Sequence, residues 1–457
     1  MHDATRTDST TSYYRGETRT LLKLAGPLIV NNLSIAGMQF ADAVMAGKLG
    51  AEALAAVAVG SSVWFMFFML LLGMMMAISP IAARHAGAGN DHLIGRYTRQ
   101  ALYLAVALAI PVIAIAQYLV PGFLAFLTID DSFRDITSDY VAAISWGAPG
   151  IFMFLALRFT NEGVGFTKPI MWTSLLALVC NVFLNWVFIY GKLGAPALGA
   201  VGCGVASAIT MWVILFALGG YMLVNPLYRR YQIFSRVAPL RPDVLKEIVV
   251  LGVPIAVTVT AEAGLFNAVS LLMGTLGASI AAAHQIAINF ASTTFMIPLA
   301  ISAATTVRVG YQLGRNEPEN ARRSGLIGIA ICTATMVVSA GVLLVARDPI
   351  VSMYTTDPTV TSIAISLLLM AAIFQVADGL QVGAAGALRG YKDTRLPMIM
   401  TTFSYWVIAF PLAFMAAVVW KLEPHFVWSG FVAGLCIAAV LLSARFYRLT
   451  RTPDPGA

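Results

Sequence analysis

Three acidic residues stand where acid is costly. Asp42, Glu262 and Asp378 lie in the runs AGMQFADAVMAG, VTVTAEAGLFNAV and FQVADGLQVGAAGA, which are apolar and hold no basic residue. A carboxylate at bilayer depth costs about 3 kcal/mol on insertion scales, so such residues mark cation paths, proton sites or substrate contacts. The purely structural alternative for each is a hydrogen bond to a neighbouring helix. Low dielectric also favours the protonated form of a carboxylate. One group can therefore serve in turn as cation ligand, proton carrier and counter-charge to a cationic cargo. Competition among those occupants suffices for antiport if each biases the inward and outward states differently.

The elements that carry these acids follow from composition. Of 457 residues, 59% are hydrophobic and 11% charged, against about a quarter charged in soluble proteins. Mean hydropathy is +0.81. The chain is an integral membrane protein, and its apolar runs of about 20 residues or more are helices rather than barrel strands. The polar start, MHDATRTDSTTSYYRGETRT, has no signal-peptide pattern and reads as a short soluble lead-in. The net charge of +7 does not indicate nucleic acid, because the basic residues gather in short loops. Cys180, Cys203, Cys332 and Cys436 lack C-x-x-C spacing and read as small buried hydrophobes. His284 has no ligand partner at metal spacing and reads as a hydrogen-bonded helix-end residue, so no metal site is expected. No P-loop, G-x-S-x-G or H-E-x-x-H motif is present, which argues against bound ATP as the energy source and against catalysis. No cofactor is expected.

The hydropathy pattern predicts an all-α polytopic protein with twelve spans, near 20–46, 54–82, 98–120, 138–160, 169–190, 198–224, 245–273, 280–307, 324–346, 361–388, 397–420 and 426–446. With the N-terminus inside, all but Lys48, Arg134, Lys192, Arg347 and Lys421 of the 29 Lys and Arg fall on the cytoplasmic side. The central loop alone holds Arg229, Arg230, Arg236, Arg241 and Lys246. That asymmetry predicts both termini in the cytoplasm. The expected organisation is a cytoplasmic tail (1–19), an N-lobe (20–224), a cytoplasmic inter-lobe loop (225–244), a C-lobe (245–446) and a C-terminal tail (447–457).

A shift of 227 residues carries Pro27 onto Pro254, Gly37 onto Gly264, Gly47 onto Gly274 and Leu49-Gly50-Ala51 onto Leu276-Gly277-Ala278. It also carries Ala55-Ala56 onto Ala282-Ala283 and Gly87 onto Gly314. Six spans per half is even, so the halves are parallel repeats about an axis along the membrane normal. Two six-helix bundles would then enclose a central cleft. Pro27 and Pro254 would bend the first helix of each half, as static packing kinks or as hinges. Asp42 falls opposite Val269, Glu262 opposite Ile35 and Asp378 near Gly150. Each acid is private to its half, so the halves do different work.

The stretches MQFADAVMAGKLGAEALAAVAVGSS, LGVPIAVTVTAEAGLF, AAAHQIAINFASTTFMIPLAIS and ALRGYKDTRLPM resemble the multidrug and toxic compound extrusion (MATE) transporters, in order and at matching distances. Glu262 with Asp378 resembles the NorM-like branch. The resemblance implies a multi-pass protein of the bacterial inner membrane, monomeric, exporting cationic amphipathic drugs and dyes in exchange for Na⁺ or H⁺. It implies a C-lobe cation site at Glu262 and Asp378, with Phe295 where some relatives place a tyrosine facing the cation. Phe keeps the π face and loses the hydroxyl. It implies an N-lobe site at Asp42, Asn181, Asn185 and Ser207. Some relatives carry an acid at the Asn185 position, and Ser207 keeps the hydroxyl of the usual Thr. Such oxygen ligands suit a hard cation, and Asn181 and Asn185, spaced i, i+4, share a helix face. Two Asn on a buried face can equally bond neighbouring helices. Ser62, Gln285 and Asp357 would line the drug cavity. Asp357, in YTTDP, also suits a helix N-cap. Met66, Met69 and Met74–Met76 are packing residues, some of which would make a drug pocket adaptable.

Two rivals differ in their demands. A lipid-linked precursor flippase of the same superfamily needs a cationic cavity, whereas the mid-span ionisable residues here are acidic. A polytopic membrane enzyme needs His, Asp or Glu clusters at catalytic spacing, and none is present. Reporter tags fused to either end should report the cytoplasm, and an external signal from either would refute the topology.

Overall fold

The computed structural model describes residues 2–126, 131–235 and 239–451, with side chains from residue 13 onward except 131 and 132. Arg236 of the basic loop and residues 452–457 of the C-terminal tail lie outside the described residues. The described elements are helical, and no strand occurs among them. Eleven are long and apolar enough to cross a membrane, or twelve with one bent pair taken as a single span. They are α1 (Tyr13–Gly47), α2 (Ala51–Gly87), α3 (Asp91–Phe126), α4 (Phe133–Ser145 and Ala148–Gly163, bent by 48°), α5 (Thr167–Tyr190) and α6 (Ala200–Val224). The second half runs α7 (Pro242–Thr275), α8 (Ala278–Gly314), α9 (Pro318–Ser352), α10 (Pro358–Gly390), α11 (Arg395–Val419) and α12 (Pro424–Arg451). The twelve predicted spans each find their helix. The all-helical outcome follows from the solvent, since a helix closes its own backbone hydrogen bonds and hydrocarbon offers none.

The backbone carries the 227-residue repeat further than the side chains do. Gly50 (φ 121°) and Gly277 (φ 129°) precede α2 and α8 in a conformation open only to glycine. The same shift carries Gly89 (φ 71°) onto Asn316 (φ 59°), Gly165 (φ 81°) onto Lys392 (φ 60°) and Gly194 (φ 82°) onto Lys421 (φ 49°). Two of these pairs close their helices alike. Asn90 N–H bonds His85 O as Glu317 N–H bonds Gln312 O, and Phe166 N–H bonds Asn161 O as Asp393 N–H bonds Leu388 O. These are Schellman closures around a left-handed residue. They persist where Asn or Lys has replaced the glycine that would signal them in sequence.

The helices pack as two compact units, Pro27–Ala256 and Met1–Gly26 with Val257–Ala457. This grouping does not follow the inter-lobe loop. It divides α1 at Pro27 and α7 two residues past Pro254, the pair matched by the repeat. The start of α1 thus belongs with α8–α12, and the start of α7 with α2–α6. The expected soluble lead-in is helical from His2 and docked. Leu21 and Ala25 are fully buried with Ile301, Ala304, Ile327, Cys332 and Val382. Glu17 takes two hydrogen bonds from Arg308, at 2.8 and 2.7 Å, and one from Ser324 at 2.6 Å. In the other unit Glu247 of α7 accepts a hydrogen bond from the Tyr97 hydroxyl of α3. The repeat shift carries Tyr97 onto Ser324. In each unit a carboxylate on a first helix, α1 or α7, thus bonds the hydroxyl at the same repeat position of a third helix, α9 or α3.

Within the second unit α10 is pressed against α8 and α9 through Gly379, Gly383, Gly386 and Gly390. A Cβ on Gly386 would stand 2.5 Å from the Ser302 carbonyl oxygen, and one on Gly379 2.8 Å from that of Cys332. Small residues allow such approach, and interhelical hydrogen bonds follow it. Ser302 Oγ donates to Val382 O and Thr306 Oγ1 to Gly386 O, both at 2.7 Å.

The Glu17–Arg308 pair, with side-chain exposures of 4% and 17%, gives a stability prediction. Glu17→Gln should destabilise the detergent-solubilised protein by about 3 kcal/mol by stranding a buried guanidinium. Adding Arg308→Met should restore part of that loss. Equal thermal midpoints for Glu17→Gln and wild type would remove the pair from the packing of α1.

Candidate functional site

In the first unit α1, α5 and α6 converge on Asp42, as the sequence requires. Asn185 Nδ2 donates to Asp42 Oδ1 at 2.6 Å and reaches Asn181 Oδ1 at 3.1 Å. Asn181 Nδ2 points to Ser207 Oγ at 3.4 Å. Asn181 and Asn185 are fully buried and Ser207 is 6% exposed. The i, i+4 spacing on α5 thus produces a chain of neutral groups ending on one carboxylate. The Cys203 thiol, one turn before Ser207, also bonds Asp42. The buried Asn185 Oδ1 has no hydrogen-bond partner among the described residues. A carboxylate, two amide oxygens and a hydroxyl, with one carbonyl oxygen unspent, form an oxygen set suited to a hard cation.

The second unit assembles a different site. Asp378 of α10 is 2% exposed and lies within electrostatic reach of Glu262 on α7. The basic group whose field reaches Glu262 is Arg389, three turns along α10, whose Nη2 donates to Ser302 Oγ at 2.9 Å. Tyr405 of α11 is fully buried, and both carboxylates act on it. Asp378 Oδ1 and the Tyr405 hydroxyl have no hydrogen-bond partner among the described residues. Asp378 is buried and Glu262 half-buried, and each carboxylate feels the charge of the other.

The remaining predicted residues are placed as follows. Phe295 is half-buried and packs against the cluster that contains Leu21 and Ile301. Ser62 is exposed and donates to Ala58 O at 2.8 Å, and Gln285 is exposed with its amide 3.2 Å from Asn289 Oδ1. Asp357 caps α10, its Oδ1 accepting from Thr359 N at 2.7 Å and Val360 N at 3.2 Å. His284 sits between Trp428 Nε1, at 3.1 Å from its Nδ1, and Ser270 Oγ, at 2.9 Å from its Nε2. It is therefore a satisfied helix-packing residue, as its sequence context suggests. Sequence reasoning missed Cys203, Tyr405 and the inward role of Arg389. Cys203 and Tyr405 sit in apolar runs with no pattern to mark them, and Arg389 reads as a loop charge.

Helices long and apolar enough to cross a membrane, with acid inside them in each unit, make this a multi-span membrane protein. The MatE family model matches residues 27–187 and again 254–415, beginning at the two prolines joined by the repeat. The multidrug resistance protein NorM of Vibrio vulnificus (strain YJ016) is 37% identical over 445 residues, covering 96% of this chain and 97% of that one. MdtK of Photorhabdus laumondii is 39% identical over 448 residues, again with 96% and 97% coverage. Among solved structures, the eukaryotic MATE transporter AtDTX14 superposes with a TM-score of 0.87 at 20% identity, covering 96% of this chain and 98% of its own. The chain belongs to the MatE family.

Asp42→Asn keeps an oxygen acceptor for Asn185 and removes only the charge. The variant should fold with wild-type yield yet lose part of the ion dependence of transport. Unchanged transport under every ion gradient would remove Asp42 from the mechanism.

Proposed function

We propose that this protein is a secondary active antiporter of the bacterial inner membrane that exports cationic amphipathic drugs and dyes in exchange for Na⁺ or H⁺. Both termini face the cytoplasm in this reading, as the Lys and Arg distribution indicates. The observation that carries it is the pair Glu262 and Asp378, a half-buried and a buried acid within reach of each other's charge, in a chain whose NorM and MdtK relatives are named multidrug resistance proteins.

The mechanism follows from charge. Ionised, the pair attracts a cationic cargo; proton- or cation-loaded, it does not. Loading from outside therefore favours release of the drug outward, and unloading inside restores the empty site. Coupling requires that the loaded and drug-bound forms prefer opposite-facing states. Asp42 with Asn181, Asn185 and Ser207 is a second cation site of lower charge. Pro27 and Pro254 are the places where α1 and α7 can bend, because proline removes one ladder hydrogen bond. Phe295, Ser62, Gln285 and Asp357 are the weaker members of the set, since their observed contacts are apolar packing, local bonds or a cap.

The flippase alternative is disfavoured by the sign of the buried charge. The fold alone does not decide it. A transporter of this fold from Pyrococcus furiosus, matching at a TM-score of 0.86, has a binding pocket of reversed polarity. Acidic residues at mid-span here fit a cationic cargo rather than a pyrophosphate.

Reconstituted protein should expel a cationic dye from vesicles when a Na⁺ or a proton gradient is imposed separately, and at least one should drive it. Glu262→Ala and Asp378→Ala should each reduce that efflux at least about tenfold, as expected for a lost charged contact, with normal yield. A fully active Asp378→Ala exporter would overturn the site.

A further inference from the structure

The C-lobe site contains a group that neither the fold nor the carboxylate pair explains. Tyr405 is completely buried, and its hydroxyl finds no donor or acceptor among the described residues. A buried hydroxyl without a partner opposes folding, and phenylalanine would fill the same space without that penalty. The ring itself is well used, lying in the core that Ala409, Phe431 and Leu435 share. Packing therefore accounts for the ring and leaves the oxygen unaccounted for.

Its surroundings show which groups lie near this turn of the helix. The indole of the next residue, Trp406, donates to Ala261 O at 3.1 Å, which fixes this level of α11 against the turn of α7 that carries Glu262. Trp406 also lies over Gly264, where a Cβ would meet its ring at 3.1 Å. Tyr405 stands within the field of both Glu262 and Asp378, and Asp378 presents a carboxylate oxygen that is also unpartnered. The helix is modified at this point. Phe403–Ala409 forms a π-helical turn, and Phe410 N–H bonds Tyr405 O five residues back. A π-turn swings a side chain out of the ordinary α register, and such turns recur at functional sites. Here it selects the residue whose hydroxyl has nothing else to bind.

We propose that Tyr405 is a further member of the C-lobe exchange site, its hydroxyl completing the shell of whatever occupies the Glu262–Asp378 pair. To a bound Na⁺ it offers an oxygen. To a proton-loaded carboxyl it offers an acceptor oxygen, with no net transfer required. This inference rests on the antiport reading above and adds to it a neutral ligand that discriminates between loaded and empty states.

The test is Tyr405→Phe in the full-length protein. Thermal unfolding in detergent is compared in NaCl and in choline chloride, at acidic and neutral pH, and dye efflux from vesicles is measured over a range of Na⁺ and proton gradients. Wild type should unfold at a higher temperature when Na⁺ or protons load the site, because an occupant that binds only the folded state stabilises it. Tyr405→Phe should keep or exceed the unloaded stability, lose most of the ion-linked shift, and need about tenfold more ion for half-maximal efflux, the equivalent of one hydrogen bond to a charged group. Either of two results overturns the proposal. One is an unchanged ion dependence, both in stability and in efflux. The other is a variant that fails to fold, which would show the hydroxyl to be structural. Failure of the antiport reading looks different, because wild type would then show neither an ion-linked shift nor ion-driven efflux, and the proposal would fall with it.

Discussion

A charged or hydrogen-bonding group inside hydrocarbon has only other helices to turn to, and this constraint organises the molecule. It makes all the spans helical. It then ties those spans together wherever a polar side chain enters. Asp42 draws α5 and α6 to α1 through Asn185, Asn181, Ser207 and Cys203. Arg389 is held against α8 by Ser302, and Ser302 and Thr306 bond the backbone of α10. Glu17 pulls the first turns of α1 onto α8 and α9. The same constraint makes the unpartnered atoms informative. Among the buried side-chain atoms left without a partner, Asp378 Oδ1, Tyr405 Oη and Asn185 Oδ1 belong to the two acidic sites.

The two halves share a backbone and divide the chemistry. Left-handed residues recur 227 positions apart, and the helices that end on two of those pairs close with identical hydrogen-bond patterns. The carboxylate anchors Glu17 and Glu247 meet Ser324 and Tyr97, which the repeat superposes. Against that common frame the acids differ. One half has a single carboxylate among amides and a thiol; the other has a pair beside a tyrosine. The scaffold is duplicated and the charge is not.

Much of this was legible in the chain. The twelve spans and the repeat register came from hydropathy and from paired Gly and Pro, because those patterns record local backbone needs. Asp42, Glu262 and Asp378 stood out for the same reason, since acid in an apolar run has no local excuse. The family match beginning at residues 27 and 254 agrees with the register read from Pro27 and Pro254. The repeat was harder to see past α2, because Asn316, Lys392 and Lys421 adopt glycine-like angles without being glycine. The docking of the polar lead-in is not legible in the sequence, because Glu17 is ordinary in a soluble tail and only Arg308 and Ser324, about 300 residues away, make it interior.

By itself the sequence determined the helical membrane class, the span count, the two-fold repeat and the three acids, all of which depend on the solvent or on near neighbours along the chain. Only the tertiary structure decided which residues surround those acids. The same is true of the division of α1 and α7 between the two units at or near matched prolines. It is true again of Tyr405, an aromatic residue in an apolar run that becomes a candidate ligand when α11 is set against α7. Such facts turn on pairs of residues distant in sequence, and no local pattern encodes which helix a buried oxygen will face.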